Sequence, residues 1–396
     1  MLNRYRLALA AAGLAALLGS IAAPASAATG TAATGTAPAG PTSAVAYQIG
    51  ISHDGYSGDT SIVAPLTHRW SVNFAGPVSY PLIAGGKVFV TVASNSGYGT
   101  TLYALDKATG ATIWSQPISG TYFWSNAAYD SGQVFVVNYD GLLRAFDANT
   151  GTLSWSVQLP GQYSFSSPPT ANRGVVYVGG AGSGGTLYAV SETNGTVLWT
   201  QPVQNGDHSS PALDSTSVLV SYACGLTYAF NRTTGQQQWF SNGPCEGGGG
   251  KTAVYHGGMV YTRDFTGNKI LAANTGNQLG TFQAGPAPAF DGNVGLFLNG
   301  GVLTASSGGQ TVWTFSGDGS LDTAPIAVGN TVYVGSSSGM LYGLNVSNGS
   351  VVWSTNVGAG IPAPDEQNVS QPLTGLGAGQ GLLVVPAGDE LAAYGG

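Results

Sequence analysis

The chain offers few residues that could do chemistry, and most of them stand alone. Asp207-His208 is a carboxylate beside an imidazole, the pair used in proton transfer. Neighbours in sequence do not face each other as a catalytic pair must, and no Gly-x-Ser-x-Gly elbow accompanies them. A surface or capping role is the plainer expectation. His53, His68 and His256 each lack a second His or Cys at metal-ligand spacing. Asp-x-x-Thr-Gly turns recur, but they lack the alternating oxygen ligands and terminal Glu of a calcium loop. Gly247 to Gly250 could cradle phosphate, yet no helix or Gly-Lys-Ser/Thr follows. The two cysteines, Cys224 and Cys245, are an even count. In an exported chain they are expected to form a disulfide that pins the Gly-rich loop, with two free thiols as the alternative. Catalytic and metal-ligating residues are therefore expected to be none. What remains is aromatic: Tyr122, Phe123, Trp124, Tyr139, Tyr163 and Phe165.

The elements that must position these residues are written by repetition. Leu102-Tyr-Ala-Leu-Asp-Lys-Ala-Thr-Gly-Ala-Thr-Ile-Trp114 reads as strand, turn, strand. Asp can bond backbone two residues on, and Gly accepts positive φ. The unit returns at Leu143–Trp155, Leu187–Trp199, Thr227–Trp239 and Leu341–Trp353, each with Gly four residues before Trp. Trp70, Trp114, Trp155, Trp199 and Trp239 are 40–44 residues apart. A short hairpin cannot bury its own apolar face. A period near 40 with strand-like content is the signature of a β-propeller, one four-stranded blade per period.

The pattern (Leu/Val)-Tyr-Ala-(Leu/Phe)-Asp-x-x-Thr-Gly-x-x-x-Trp resembles the pyrroloquinoline-quinone-like (PQQ-like) β-propeller repeat family, from about Tyr47 to the C-terminus. The resemblance implies a fold more than an activity. It reaches quinone-dependent dehydrogenases and an outer-membrane assembly lipoprotein that serves as a binding scaffold. The dehydrogenases carry a vicinal Cys-Cys disulfide, a catalytic Asp and Glu/Asn/Asp ligands for calcium. This chain has no Cys-Cys pair and no C-x-x-C-H haem site, and it lacks a lipid-anchoring Cys at the right place. Soluble quinoprotein sugar dehydrogenases also lack the Cys pair, so a PQQ-and-calcium enzyme acting on sugars or alcohols stays open as the alternative.

An all-β, eight-bladed propeller is expected, with seven blades as the alternative count. Leu66 to Phe74 reads as a lone outer strand, matching a last blade that ends without its Thr-Gly-x-x-x-Trp strand. Closure of that kind removes open sheet edges. Two blades depart from the pattern. Gly280 stands where the fifth blade should have Trp, and the sixth is short. In a propeller, the loops joining strand D to the next A, and B to C, share one face, and the C–D turns take the other. The aromatic group falls in or beside D–A and B–C loops of the first three blades. Tyr98, Arg263-Asp264-Phe265 and Asp365-Glu366 fall in other D–A and B–C loops of that face. Aromatics there would stack on a sugar ring, a flat ligand or a peptide side chain. Alternatively they plug the channel and touch only each other.

Residues 1–27 read as a secretory signal peptide, with Arg4 and Arg6, an apolar run over Leu7–Ile21, and Ala25-Ser26-Ala27 as the cleavage site. The run is short for a membrane span. Residues 28–46 read as a flexible Thr/Ala/Gly/Pro tail, and 47–396 as the propeller. Loss of the leader would take the net charge from −7 to about −9. Only 7% of the chain is charged and no Lys/Arg cluster occurs, which argues against nucleic acid. The expectation is a secreted or envelope-associated monomer that binds a carbohydrate or protein partner without catalysis or cofactor. A structural wall or matrix protein is a further alternative.

Overall fold

The computed structural model describes residues 42–243, 250–265 and 267–396. Among the described residues there is no helix, and strands form eight four-stranded antiparallel blades in a ring. Blades 1 to 7 occupy Leu82–Ile118, Ser125–Gln158, Thr170–Val203, Ala212–Ser241, Val254–Phe282, Ala289–Phe315 and Ile326–Asn356. In blade 8, strands Gly377–Gly379, Leu382–Ala387 and Glu390–Gly395 are completed by Thr67–Asn73, which pairs antiparallel with Glu390–Gly395. The ring is thus closed by the N-terminal strand, as expected, and the eight-blade count holds.

Burial along each blade follows from its position. Strand B, such as Lys87–Ala93, is buried after its first residue because both faces pack against neighbouring blades. Strand D, such as Thr112–Ile118, lies at the rim and alternates between exposed and half-buried. The repeated Trp locks blade to blade. Six of these rings lie against the turn glycine of the next blade and donate Nε1–H to a carbonyl there, as Trp114 does to Ala148 (3.2 Å), Trp155 to Glu192 (2.7 Å) and Trp239 to Ala273 (2.7 Å), whereas Trp353 packs on Tyr394. The Asp-x-x-Thr-Gly turn is held by its first side chain. The Asp106 carboxylate accepts from Ala108 N, Thr109 N and Thr109 Oγ1 at 2.9–3.0 Å, and Gly110 takes φ +73°.

Residues 42–57 are built into the fold, so the last part of the segment read as a tail, Thr42–Ala46, belongs to the propeller, with Ala44 and Ala46 buried. This segment lines the channel along the inner edges of the A strands. Its carbonyls accept from Gln380 N, Ile83 N, Tyr129 N, Leu213 N, Tyr255 N, Phe290 N and Ala327 N at 2.7–3.0 Å, and His53 meets Thr170 Oγ1 at 3.2 Å. Every blade is touched. The inner edge strands would otherwise present unpaired N–H groups to the channel. Tyr56–Ser57 even adds a parallel fifth strand to blade 7. The contacts lie near the A–B turns, so this plug fills the side opposite the D–A and B–C loops.

Candidate functional site

On the D–A/B–C face the expected aromatic group divides. Tyr98, Tyr122, Phe123 and Tyr139 form a continuous ribbon, with ring centroids 5.1 Å apart for Tyr98–Phe123 and 4.3 Å for Tyr122–Tyr139. Tyr163 continues it on the next loop; it is 68% exposed, and its hydroxyl donates to Gly182 O at 2.8 Å. Ser164 Oγ donates to the Tyr139 hydroxyl at 2.9 Å, tying the two loops together. Trp124 and Phe165 are different: both are buried and pack in the core of blades 2 and 3. They therefore do not present a ring to a ligand. Phe165 is held because Gly141 and Gly180 leave room for it from both sides; a Cβ at either would stand 2.2–2.4 Å from its ring. Sequence reading could not separate these two from their exposed neighbours, because one residue of offset on a loop turns a side chain from rim to core.

Between blades 2, 3 and 4 the ribbon ends in a shallow cavity of about 410 Å³. Tyr139, Tyr163, Gly182 and Gly184 wall one side, and Asn205 and Asp207 the other. The Asp207 carboxylate is raised from its ordinary pKa by burial. One oxygen meets His208 Nε2 at 3.3 Å; the other, Oδ1, is buried without a partner. The adjacent Asp and His thus do touch, against expectation. The reason is backbone: His208 has φ +63°, a left-handed turn that folds the ring back on its neighbour. His208 Nδ1 lies 3.0 Å from both Ser166 Oγ and Glu366 O, so the imidazole is held in place as a strut.

Glu366 is the residue that sequence reading placed on this face without seeing its partner. It sits in the segment 357–376 that joins blades 7 and 8. Its Oε1 accepts from Arg263 Nη2 at 2.6 Å, and its Oε2 from Thr252 N at 2.6 Å. Both side chains are 2% exposed. Arg263 also donates to Gly285 O and Thr252 O, at 3.1 Å each. From the plug below, the Tyr47 hydroxyl reaches Glu366 at 3.4 Å. The segment is thereby latched across the channel mouth from blade 5 to blade 3. Nothing in the local sequence of Arg263 or Glu366 marks this pairing, since they are 103 residues apart. The disulfide expected between Cys224 and Cys245 falls on Cys245, which lies outside the described residues.

The profile of the family described as outer membrane protein assembly factor BamB matches residues 63–221, 159–281 and 223–385. The chain belongs to this family of PQQ-like propeller repeats. No curated protein matches the chain. Among solved structures, BamB from Moraxella catarrhalis is similar at 19% identity and a TM-score of 0.65, covering 84% of this chain and all of that one. The quinohemoprotein alcohol dehydrogenase of Comamonas testosteroni is similar at 13% identity and a TM-score of 0.68, covering 89% and 80%. A europium-containing methanol dehydrogenase shares 14% identity with a TM-score of 0.67, covering 90% and 98%. Identities this low speak for the fold alone, and the fold is shared by BamB and by dehydrogenases. Among the described residues, no helix is long and apolar enough to cross a membrane.

Proposed function

We propose that the protein is an exported, non-catalytic monomer that binds a carbohydrate through the Tyr139–Tyr163–Asp207 cavity and the ribbon leading into it. The observation that carries this reading is a pairing. An exposed tyrosine ring, fixed by its hydroxyl on Gly182, lines the same cavity as Asp207, whose Oδ1 is buried without a partner. A buried acceptor without a donor costs about 1–3 kcal/mol, which a ligand hydroxyl would recover on opening the cavity wall over Oδ1. A sugar offers both a flat C–H face for the ring and hydroxyl donors for the carboxylate. The low charge of the chain, 7%, and the leader read in residues 1–27 agree with a neutral glycan met outside the cytoplasm.

The quinone-dependent alternative finds less support in the donor set. Among the described residues no group of three His, Cys, Asp or Glu side chains comes together, so a calcium ion would have to draw on Asn side chains, backbone carbonyls or the cofactor itself. Both oxygens of the buried Glu366 carboxylate are already committed. The family likeness to BamB makes a protein partner the second reading, with the same ribbon as its contact. In the exported protein we take Cys224 and Cys245 to be bridged.

Isothermal titration of the chain against a panel of neutral oligosaccharides tests the carbohydrate reading. The expected result is saturable binding that Tyr163→Ala and Asp207→Asn each weaken by tenfold or more, with unchanged melting curves. Binding that survives both substitutions removes the assignment. Failure of every glycan, with capture of a peptide by the same ribbon, moves the function to the protein-partner reading.

A further inference from the structure

The interface between blades 5 and 6 is built differently from its neighbours. Six Trp residues elsewhere fill the seat between one blade and the next. A Cβ on the turn glycine of the following blade would stand 2.7 Å from Trp70 at Gly110, 2.4 Å from Trp239 at Gly276 and 2.7 Å from Trp313 at Gly349. In each the indole N–H finds a turn carbonyl: Trp70 to Lys107 O at 2.9 Å, Trp199 to Arg232 O at 3.2 Å, Trp313 to Val346 O at 2.7 Å. In blade 5, Gly280 pairs with Ile270 across the same bulge that sets Trp114 opposite Ala104. Its side-chain space holds only Ile270 Cδ1, at 3.9 Å. In the facing turn of blade 6, Gly309 keeps its place four residues before Trp313 and its φ of +77°. A Cβ there would meet nothing within 4 Å. The seat is bare on both sides.

The result is a crevice of about 1010 Å³. Its walls are Met259, Tyr261, Ile270, Phe282, Phe290 and Phe297. Phe297 leans into the gap, 5.6 Å from Phe282, and narrows it without closing it. The volume is at the upper end of small-ligand sites, and the aromatic lining is their usual composition. The chain shows six times what chemistry this seat accepts: a flat bicyclic ring lying on a glycine turn, with a ring N–H aimed at a turn carbonyl. The blade 6 turn is a tighter one, Gly308-Gly309 between the paired Ser307 and Gln310, and both glycines line the crevice, so the turn offers its backbone carbonyls as acceptors there.

We propose that the blade 5–6 crevice is a binding site for a small indole-bearing compound, seated where the other blades place their own Trp. The site is distinct from the Tyr139–Tyr163–Asp207 cavity, which it does not need.

Saturation-transfer NMR and isothermal titration of the full chain, with indole, N-acetyl-L-tryptophanamide and 1-methylindole, provide the test. Indole and the amide should bind saturably with one site. The 1-methyl compound should bind at least fivefold more weakly, because it has lost the donor. Gly280→Trp should abolish binding and raise the melting temperature, since the chain then fills its own seat. Tyr163→Ala should leave indole binding untouched. Absence of saturable indole binding, equal affinity for 1-methylindole, or binding that persists in a folded Gly280→Trp protein each overturns the proposal. If Gly280→Trp does not fold, the indole and 1-methylindole comparison on the unaltered chain decides alone.

Discussion

Removing the Arg263 guanidinium should unlatch the segment 357–376 and cost the protein a measurable part of its stability. Arg263→Met keeps much of the side-chain length and deletes the charge. Four bonds end at or beside this group: Arg263 to Glu366 Oε1 at 2.6 Å, to Gly285 O and Thr252 O at 3.1 Å, and Tyr47 to Glu366 at 3.4 Å. With Arg263 gone, Glu366 stays buried with only Thr252 N and the Tyr47 hydroxyl to face it. Breaking a buried pair in this way costs about 3–5 kcal/mol, because the surviving charge is left uncompensated. An entropy of unfolding of about 2.1 cal/mol/K per residue over roughly 350 residues converts that to about 4–7 °C of melting temperature. Differential scanning calorimetry reads the shift, and hydrogen exchange at Thr252 N–H, the donor to Glu366, reads the release of the latch. Glu366→Gln alone should also destabilise, by stranding the Arg263 charge. The double variant should recover part of the loss, giving a coupling of about 1–3 kcal/mol. A shift below about 1 °C for Arg263→Met, with unchanged exchange at Thr252 and along 357–376, would refute the latch.

Two further outcomes are expected. Glu192 is pushed up to about 8 by burial, then by the nearby Asp130 carboxylate, so it holds its proton at neutral pH. Its folded pKa exceeds the ordinary 4.5, so the stability it lends is fully present below about 4.5 and is lost as pH rises to about 8. Glu192→Gln should therefore melt like the wild type near pH 4 and above it at pH 8, and equal curves at pH 8 would show that burial imposes no such cost. Peptide mapping without reduction should give Cys224 joined to Cys245. Reduction should cost about 3 kcal/mol for a loop of about 20 residues, and unlinked, alkylatable thiols in protein purified under oxidising conditions would end that assignment.

How much of this could be read from the chain depends on whether a feature repeats. The blade count, the closing strand Thr67–Asn73 and the vacancy at Gly280 were all legible, because the spacing of Gly110 and Trp114 is restated in blade after blade and any departure stands out against it. The features that define the functional face are written once. Arg263 and Glu366 lie 103 residues apart with no local motif, and only the ring brings them to 2.6 Å. The channel plug was hidden for another reason. Thr42 to Ala46 carries no apolar periodicity, since what holds it is backbone hydrogen bonding to inner strand edges, and that leaves no trace in side-chain pattern. Within the aromatic group the limit was orientation: Tyr163 and Phe165 are two residues apart on one loop, yet one is 68% exposed and the other buried, because Gly141 and Gly180 open a slot for the second alone. The same logic argues for looking at glycines first in a propeller of this kind. Where a turn glycine has a ring lying on it, as Gly151 has Trp114, the blade interface is complete. Gly309 has none and Gly280 supplies none from blade 5, whereas at Gly388, also bare, the blade is served by Trp353 packing on Tyr394.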